Sequence, residues 1–222
     1  GTTKINVSWP AVEAGASVLV YRKGFGFYPE YDDAGGAAPA TPSYPPVGWT
    51  LAGTVTGPVS FADETTVRDF YYYVAFVKDA CGNVSAVSNR TGGTLNYELG
   101  DVQPVAVLRG NNLVNTADVS NLGINYGITL VFNDPLNYLD VGPTTDFSVN
   151  ARPTTDNRVQ FEDLMMFAIN YGQVSSPAMV AKPAGKEGSE KLELGVPELP
   201  AVGETFAVSL TLSSPGTDRK ST

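Results

Sequence analysis

The chain has 222 residues, which is enough for one or two domains of ordinary size. Its formal net charge of −9 disfavours binding to nucleic acid, whose phosphates would be repelled, and favours cations such as calcium. The sequence contains no histidine and one cysteine, Cys81. These counts exclude an intrachain disulfide, a Ser/His/Asp triad, a Cys/His dyad and zinc sites with mixed Cys/His ligands. No apolar run approaches the roughly 18 residues that a membrane-spanning helix requires.

Alternating apolar residues predict β-strands in the first part of the chain. Ile5, Val7 and Trp9 occupy every second position, and another alternating stretch begins at Val18. The strongest such stretch runs from 70 to 77 and is rich in aromatic and β-branched residues. We expect half-buried strands, each with one face on a core and the other towards solvent.

The stretch 72–85 reads Tyr-Tyr-Val-Ala-Phe-Val-Lys-Asp-Ala-Cys-Gly-Asn-Val-Ser. It resembles the last hairpin of fibronectin type III domains. The resemblance covers about residues 1–92 and implies a fibronectin type III-like β-sandwich over 1–95, with Trp9 as the core tryptophan of the second strand. The family's usual first strand is absent, so the resemblance implies an exposed sheet edge that another segment should cover.

A long segment, 24–47, separates two of the predicted strands. It is rich in Gly, Pro, Ala and Tyr and shows no periodicity, and loops of such length are usually functional or mobile. Exposed aromatic rings can stack on sugars, although aromatic side chains more often pack in a core. One alternative function is therefore carbohydrate binding by the loop at 24–49, through Phe25, Phe27, Tyr28, Tyr31, Tyr44 and Trp49.

An internal repeat occupies the second part of the chain. Residues 111–127 align with 156–172 at an offset of 45, and both copies end in Ile-Asn-Tyr-Gly. In each copy apolar residues recur at helical spacing before the final glycine, Gly127 or Gly172, where a left-handed helix end is expected. Each copy is therefore predicted to be a loop followed by a short helix.

The two predicted loops carry oxygen ligands spaced like the second half of an EF-hand-type calcium loop. Side-chain ligands are expected at loop positions five, nine and twelve, and a backbone carbonyl two residues after position five. Such a set of oxygens suits calcium better than a soft metal. The candidate ligands are Asn111, Leu113, Asn115 and Asp118 in the first copy and Asp156, Arg158, Gln160 and Asp163 in the second.

The repeat resembles type I dockerin domains, whose copies begin with a stretch similar to Gly-Asp-Val at 100–102 and Leu-Asp-Val at 139–141. This resemblance implies a dockerin-like calcium-binding domain over 96–173, with Asp101 and Asp140 as first-position ligands and a cohesin-like domain as partner. Both loops are longer than in the family, and Asp146, which lies 45 residues after Asp101, competes with Asp140 for the equivalent place.

An alternative for these loops is that they fold without an ion. Asn112 and Asn157 stand where the family has a mid-loop glycine, which leaves the loop geometry open. Asn and Asp are also ordinary helix caps and turn residues, so the polar side chains would then simply cap the two helices.

The C-terminal part has two predicted segments. Residues 174–203 are rich in Pro, Gly, Ala, Lys and Glu and are expected to form an extended linker. Residues 204–222 are expected to hold an isolated strand that resembles the opening strand of a cohesin-like domain. It would either pair with an open sheet edge, including that of another copy, or be the remnant of a following domain. The residues on its apolar face are Phe206, Val208, Leu210 and Leu212.

The expected fold class is mainly β with a small α-helical unit. The leading functional prediction is a non-catalytic, secreted or cell-surface assembly protein, stabilised by calcium, that associates with a cohesin-like domain or with its own copies, in the latter case as a fibre. The alternatives are an ancillary region of a secreted polysaccharide-degrading enzyme and a carbohydrate-binding module. Catalysis by Glu162 with Asp163 is disfavoured because adjacent side chains on a helix diverge.

Overall fold

The structure is a computed structural model that describes residues 1–33, 35–103 and 110–173, and two short strands at 191–195 and 209–213. It divides into two units, Gly1–Ala178 and Met179–Thr222. The described part is mainly β, in antiparallel sheets, with two short α-helices. No helix within these ranges is long and apolar enough to cross a membrane.

Two antiparallel sheets form the first part of the larger unit. The smaller sheet pairs β1 with β4, and the larger has the order β3-β2-β5-β6. The predicted alternation at 5–9 and from 18 onwards lies on β1 and β2, and the stretch 70–77 lies on β5. The strands are β1 Ile5–Ser8, β2 Ser17–Gly24, β3 Thr50–Thr56, β4 Ser60–Asp63, β5 Phe70–Lys78 and β6 Thr94–Leu95.

Strand β5 is buried on both faces, so the expectation of a half-buried strand is wrong here. Tyr71 and Tyr73 pack with Ile5, Val18 and Val20 in a core between the two sheets, which together we call the sandwich. The opposite face carries Phe70 and Tyr72, which pack with Phe25 and Tyr31 from the long loop. The loop therefore covers the outer face of the sheet, which explains why this strand is almost continuously hydrophobic.

The segment after β5 closes its free edge in an unusual way. Ser85, Ser88 and Thr91 each donate their backbone N–H to a β5 carbonyl, at 2.9–3.0 Å. Their hydroxyls accept the N–H groups of Val77, Ala75 and Tyr73 in return, at 2.9–3.0 Å. A hydroxyl on every third residue thus replaces a backbone acceptor, and the N–H and C=O groups of Tyr73, Ala75 and Val77 are all satisfied.

The repeat supplies helices α1 Thr116–Ile124 and α2 Phe161–Asn170, with a 3-10 turn at Asn137–Leu139. Its buried side chains, among them Leu122 and Phe167, belong to the same core cluster as Phe70, Tyr72 and Leu99. The expected boundary between 95 and 96 is therefore crossed by one continuous core. Segments 1–95 and 96–173 form one compact unit instead of two separate bodies.

The smaller unit contains an antiparallel pair, β7 Lys191–Gly195 and β8 Ser209–Ser213, in which Leu192 pairs with Leu212 and Leu194 with Leu210. The expectation of an isolated strand therefore needs correction, because part of the predicted linker is its partner. A strand with an unpaired backbone gains from any nearby strand that can satisfy it. Phe206 and Val208 lie outside the described residues.

Candidate metal centre

The two copies of the repeat form two loops with matching hydrogen bonds. We call residues 101–118 the first loop and residues 140–163 the second loop. Val114 and Val159, at the same place in each, are fully buried. Each receives a bond from the end of the other copy: Gly172 N–H donates to the Val114 carbonyl at 2.8 Å, and Gly127 N–H to the Val159 carbonyl at 2.7 Å. The copies are therefore coupled through the middle of their loops.

The last aspartate of each loop ties the helix to the start of the same loop. Asp118 Oδ1 accepts the N–H groups of Val102 and Gln103 at 2.8 and 2.7 Å, and its Oδ2 accepts from Asn115 at 2.8 Å. Asp118 is the third residue of α1 and is fully buried. It therefore acts as a cap for the helix and as a clamp on the loop.

Asp163 repeats this arrangement in the second loop. Its Oδ1 accepts from Val141 and Gly142 at 2.7 and 2.9 Å, and its Oδ2 accepts from Gln160 at 2.8 Å. Burial raises the pKa of Asp163 to about 6. The start of α2 and the residues after Asp140 are thus held by one buried carboxyl group.

The first-position aspartates are Asp101 and Asp140. Asp101 Oδ2 accepts the N–H of Asn112 at 2.9 Å, and Asp140 Oδ2 accepts that of Asn157 at 2.7 Å. Both asparagines have a φ of 65°, in the left-handed region that asparagine tolerates better than most residues. Asparagine thereby takes over the conformation that glycine was expected to supply.

Asp146 lies in the extra part of the second loop and does not take the place of Asp140, which accepts the N–H of Asn157. It is exposed, and its Oδ1 accepts from the N–H of Ser148 two residues later. The extra residues form a small hairpin of their own, in which Thr145 N–H donates to the Arg152 carbonyl at 2.9 Å and Thr154 N–H to the Pro143 carbonyl at 2.8 Å. This hairpin returns the chain to Asp156, so the loop closes despite its length.

The remaining candidate ligands take part in local turns and caps. Asn111 Oδ1 accepts from Leu113 N–H at 3.1 Å, and Asp156 Oδ1 from Arg158 N–H at 3.0 Å. Asn115 Oδ1 accepts from Ala117 at the start of α1, at 2.8 Å. Gln160 donates its side-chain amide to Asp156 at 3.0 Å. These are the bonds expected of loops that fold without an ion.

An arginine that the sequence analysis did not single out forms an ion pair with the first loop. Arg68, from the turn before β5, donates from Nη2 to Asp101 Oδ2 and from Nη1 to the Asp101 carbonyl, both at 2.8 Å. Both side chains are buried. Since Arg68 precedes Asp101 by 33 residues and lies in the sandwich, only the tertiary structure brings the two together.

In the second loop, no lysine or arginine of the described residues forms an ion pair with Asp140. Asp140 is buried, and its Oδ1 has no hydrogen-bond partner. Burial, with the nearby charges of Asp163 and Asp156, raises the pKa of Asp140 to about 8. A buried carboxyl oxygen without a partner is costly, and a cation would satisfy it.

The two loops differ in how well their oxygen atoms suit a calcium ion. Across the described ranges, no group of three or more Asp, Glu, Cys or His side chains is placed so that it could hold a metal ion. An ion in the second loop would therefore combine few carboxylates with amide and carbonyl oxygens, a set that calcium accepts. Asp140, with its unpartnered oxygen, fits this role, whereas Asp101 is already engaged by Arg68.

The aromatic loop is largely part of the core. Tyr31 is fully buried, and its hydroxyl is 3.0 Å from that of Tyr97. Phe25 is buried as well, and Tyr44 packs on Phe76 with ring centroids 5.3 Å apart. Phe27 and Tyr28 line a cleft of about 300 Å³ with residues of the 132–138 segment. Most rings of the loop thus serve packing in the described part of the chain.

No protein-family model, curated protein or solved structure matches this chain. The resemblances to fibronectin type III and dockerin domains therefore stay predictions that depend on the residues quoted for them. What the chain does must be inferred from its loops, its helices and its exposed surfaces.

Proposed function

We propose that the chain is a non-catalytic, extracellular assembly module whose calcium-stabilised repeat presents one face of α2 to a protein partner. The observation that carries this proposal is an apolar stripe on the outer side of α2. Phe161, Met165 and Ile169 follow one another at intervals of four residues and are 62%, 42% and 49% exposed. Tyr171, directly after the helix, is also half exposed.

The stripe lies outside the hydrophobic core. The inner face of α2 already buries Met166 and Phe167 in the core. A surface helix in a globular protein normally has one apolar face, so α2 has an additional one. Contiguous exposed apolar side chains on soluble proteins commonly mark interaction sites.

Comparison with α1 shows which part of the stripe is specific to the second copy. Thr116 and Ser120 occupy the positions that correspond to Phe161 and Met165, and both are exposed. At the other end of α1, Ile124 and Tyr126 are apolar and exposed like their counterparts on α2. The two copies therefore share an exposed apolar helix end, and only α2 extends it to the start of the helix. A duplicated fold does not require this extension, whereas a partner site on α2 accounts for it.

Calcium would act structurally in the second loop. Asp140 would supply the charged ligand, with Asp156, Gln160 and the carbonyl of Arg158 as the further oxygens of the predicted set. Asp163 already links the start of α2 to Val141 and Gly142 beside Asp140. An ion bound to Asp140 would therefore stabilise the end of α2 that carries Phe161.

Binding to a cohesin-type domain tests the proposal. We expect one or more recombinant cohesin domains to bind the full chain in calcium, as measured by calorimetry, and Met165→Lys to weaken binding at least tenfold. A charge in the middle of the stripe would have to be desolvated against an apolar partner surface. The matched control is Ser120→Lys on α1, which should bind as the unmodified chain does.

Equal loss of binding in Ser120→Lys and Met165→Lys would contradict a site on α2. Absence of binding to every cohesin domain tested, together with monomeric behaviour in sedimentation, would reject association through this face. Thermal unfolding of both variants should match the unmodified chain, because both side chains lie on exposed surface.

A second candidate function is self-association by strand addition. In the β1–β4 pair, Trp9 N–H bonds the Val59 carbonyl, so Asn6 and Ser8 direct their backbone groups away from β4. An apolar groove of about 320 Å³ is lined in part by Trp9, directly after β1, and by Val12 and Val77. Trp9 Nε1 is buried and has no partner, so an incoming carbonyl could satisfy it.

Light scattering with and without the smaller unit tests strand addition. The occupant we propose is the β8 strand of a second copy, which must exchange its pairing with β7 for pairing with β1. We expect species larger than a monomer for the full chain and only monomers after truncation at Ala178. Monomers in both cases would contradict self-association and leave the α2 partner site as the function.

A further inference from the structure

The first loop is closed by a side chain of the sandwich. Each guanidinium nitrogen of Arg68 donates a hydrogen bond. Nη2 donates to Asp101 Oδ2 at 2.8 Å, Nη1 to the Asp101 carbonyl at 2.8 Å and Nε to the Gly1 carbonyl at 2.7 Å. Arg68 and Asp101 are both almost inaccessible to solvent. This is a buried, charge-assisted pair with good geometry, which persists only when its donors and acceptors are satisfied.

Asp101 has little room for another cation. Its Oδ1 accepts from Asn111 N–H at 2.7 Å, and its Oδ2 accepts from Asn112 N–H in addition to Arg68. The main chain of Gly110 lies directly against the carboxyl group, since an added Cβ there would be 2.2–2.4 Å from its three atoms. A divalent ion beside Asp101 would also be repelled by the guanidinium.

In the second loop, the equivalent carboxyl group of Asp140 is not fully hydrogen-bonded. Asp140 makes the counterpart of the Asn112 bond, to Asn157, but its Oδ1 has no partner. The ion pairs found within 1–33, 35–103 and 110–173 involve Asp32, Asp63, Glu64 and Asp101 and none of the carboxylates of the second loop. Among the described residues, Asp140, Asp156 and Asp163 therefore form no ion pair with a lysine or an arginine.

We propose that Arg68 occupies the cation position of the first loop, so that the chain binds one calcium ion, in the second loop alone. This inference rests on the proposed calcium role and specifies its stoichiometry and its consequence. Arg68 fixes the first copy to the sandwich whether calcium is present or not. Calcium then acts only on the second loop and α2, which is the helix that carries the exposed stripe.

Counting bound ions tests this assignment. Native mass spectrometry and calorimetric titration of the full chain with calcium should give one ion. Asp140→Asn should give none, and Asp101→Asn should still give one with the affinity of the unmodified chain. Two ions in the unmodified chain, or loss of the ion in Asp101→Asn, would overturn the assignment of Arg68. No ion in the unmodified chain would instead reject the calcium role itself, and the inference with it.

Amide NMR on the unmodified chain gives a test that does not depend on the folding of any variant. Calcium should shift the amide signals of Val141, Gly142 and Asn157 and those of the first turn of α2. The equivalent signals of Val102, Asn111 and Asn112 should stay in place. Shifts of similar size in both sets would overturn the proposal, because they would show that the first loop also binds the ion.

Discussion

Replacing Phe167 with alanine is expected to lower the free energy of unfolding of the larger unit by about 3–5 kcal/mol. Phe167 is fully buried on α2, and it packs so closely on Gly100 that an added Cβ there would lie 2.9 Å from the ring. The alanine would leave a cavity in the core that α2 shares with Phe70, Tyr72 and Leu99. Urea denaturation followed by tryptophan fluorescence measures the effect.

The two tryptophans, Trp9 and Trp49, make this measurement informative because both lie in the part predicted to be a separate sandwich. If one core joins the sandwich to the repeat, a substitution on α2 must shift the tryptophan transition. The matched control is Ile169→Ala on the exposed face of α2, for which little change is expected. A tryptophan transition that stays in place while helical circular dichroism is lost would show that the parts unfold independently.

Local sequence patterns predict where the strands and the loop-helix copies lie, but not which segments bury their outer faces. Alternation located β1, β2 and β5 because the side-chain period of a strand is a local property. The outer face of β5 is buried by residues of the 24–49 loop and by the repeat, which are distant in sequence. No local pattern distinguishes a solvent face from a face covered by a remote segment, so the sequence predicts a half-buried β5.

The residues of the candidate site also divide into those that the sequence predicts and those that only the tertiary structure shows. The spacing of Asp118 and Asp163 within the repeat identified them as the ends of two equivalent loops, and their hydrogen bonds match. The offset of 45 points to Asp146 and the Leu-Asp-Val stretch to Asp140, and a sequence offset does not show that Asp146 lies in an inserted hairpin. Arg68 had no signal in the sequence, since its role depends on a contact between separate parts of the fold.

Replacing Asp118 with alanine is expected to destabilise the larger unit by about 3–5 kcal/mol. The substitution removes the acceptor of three backbone N–H groups, on Val102, Gln103 and Asn115, in a region without access to solvent for the carboxyl group. Each N–H left without a partner loses its bond to the protein and regains little from water. Thermal and urea unfolding measure the loss, with Asp146→Ala as the control.

Asp146→Ala should have no measurable effect, because Asp146 is exposed and bonds only to the nearby Ser148. Equal destabilisation by the two substitutions would show that the second loop uses Asp146 after all.

The calcium dependence of stability distinguishes the two loops further. Since Arg68 closes the first loop, the loss in Asp118→Ala should be the same in calcium and in chelator, whereas Asp163→Ala should lose more in calcium because it also removes the stabilisation that a bound ion gives. A calcium-dependent loss in Asp118→Ala would mean that the ion, and not the guanidinium, holds the first loop.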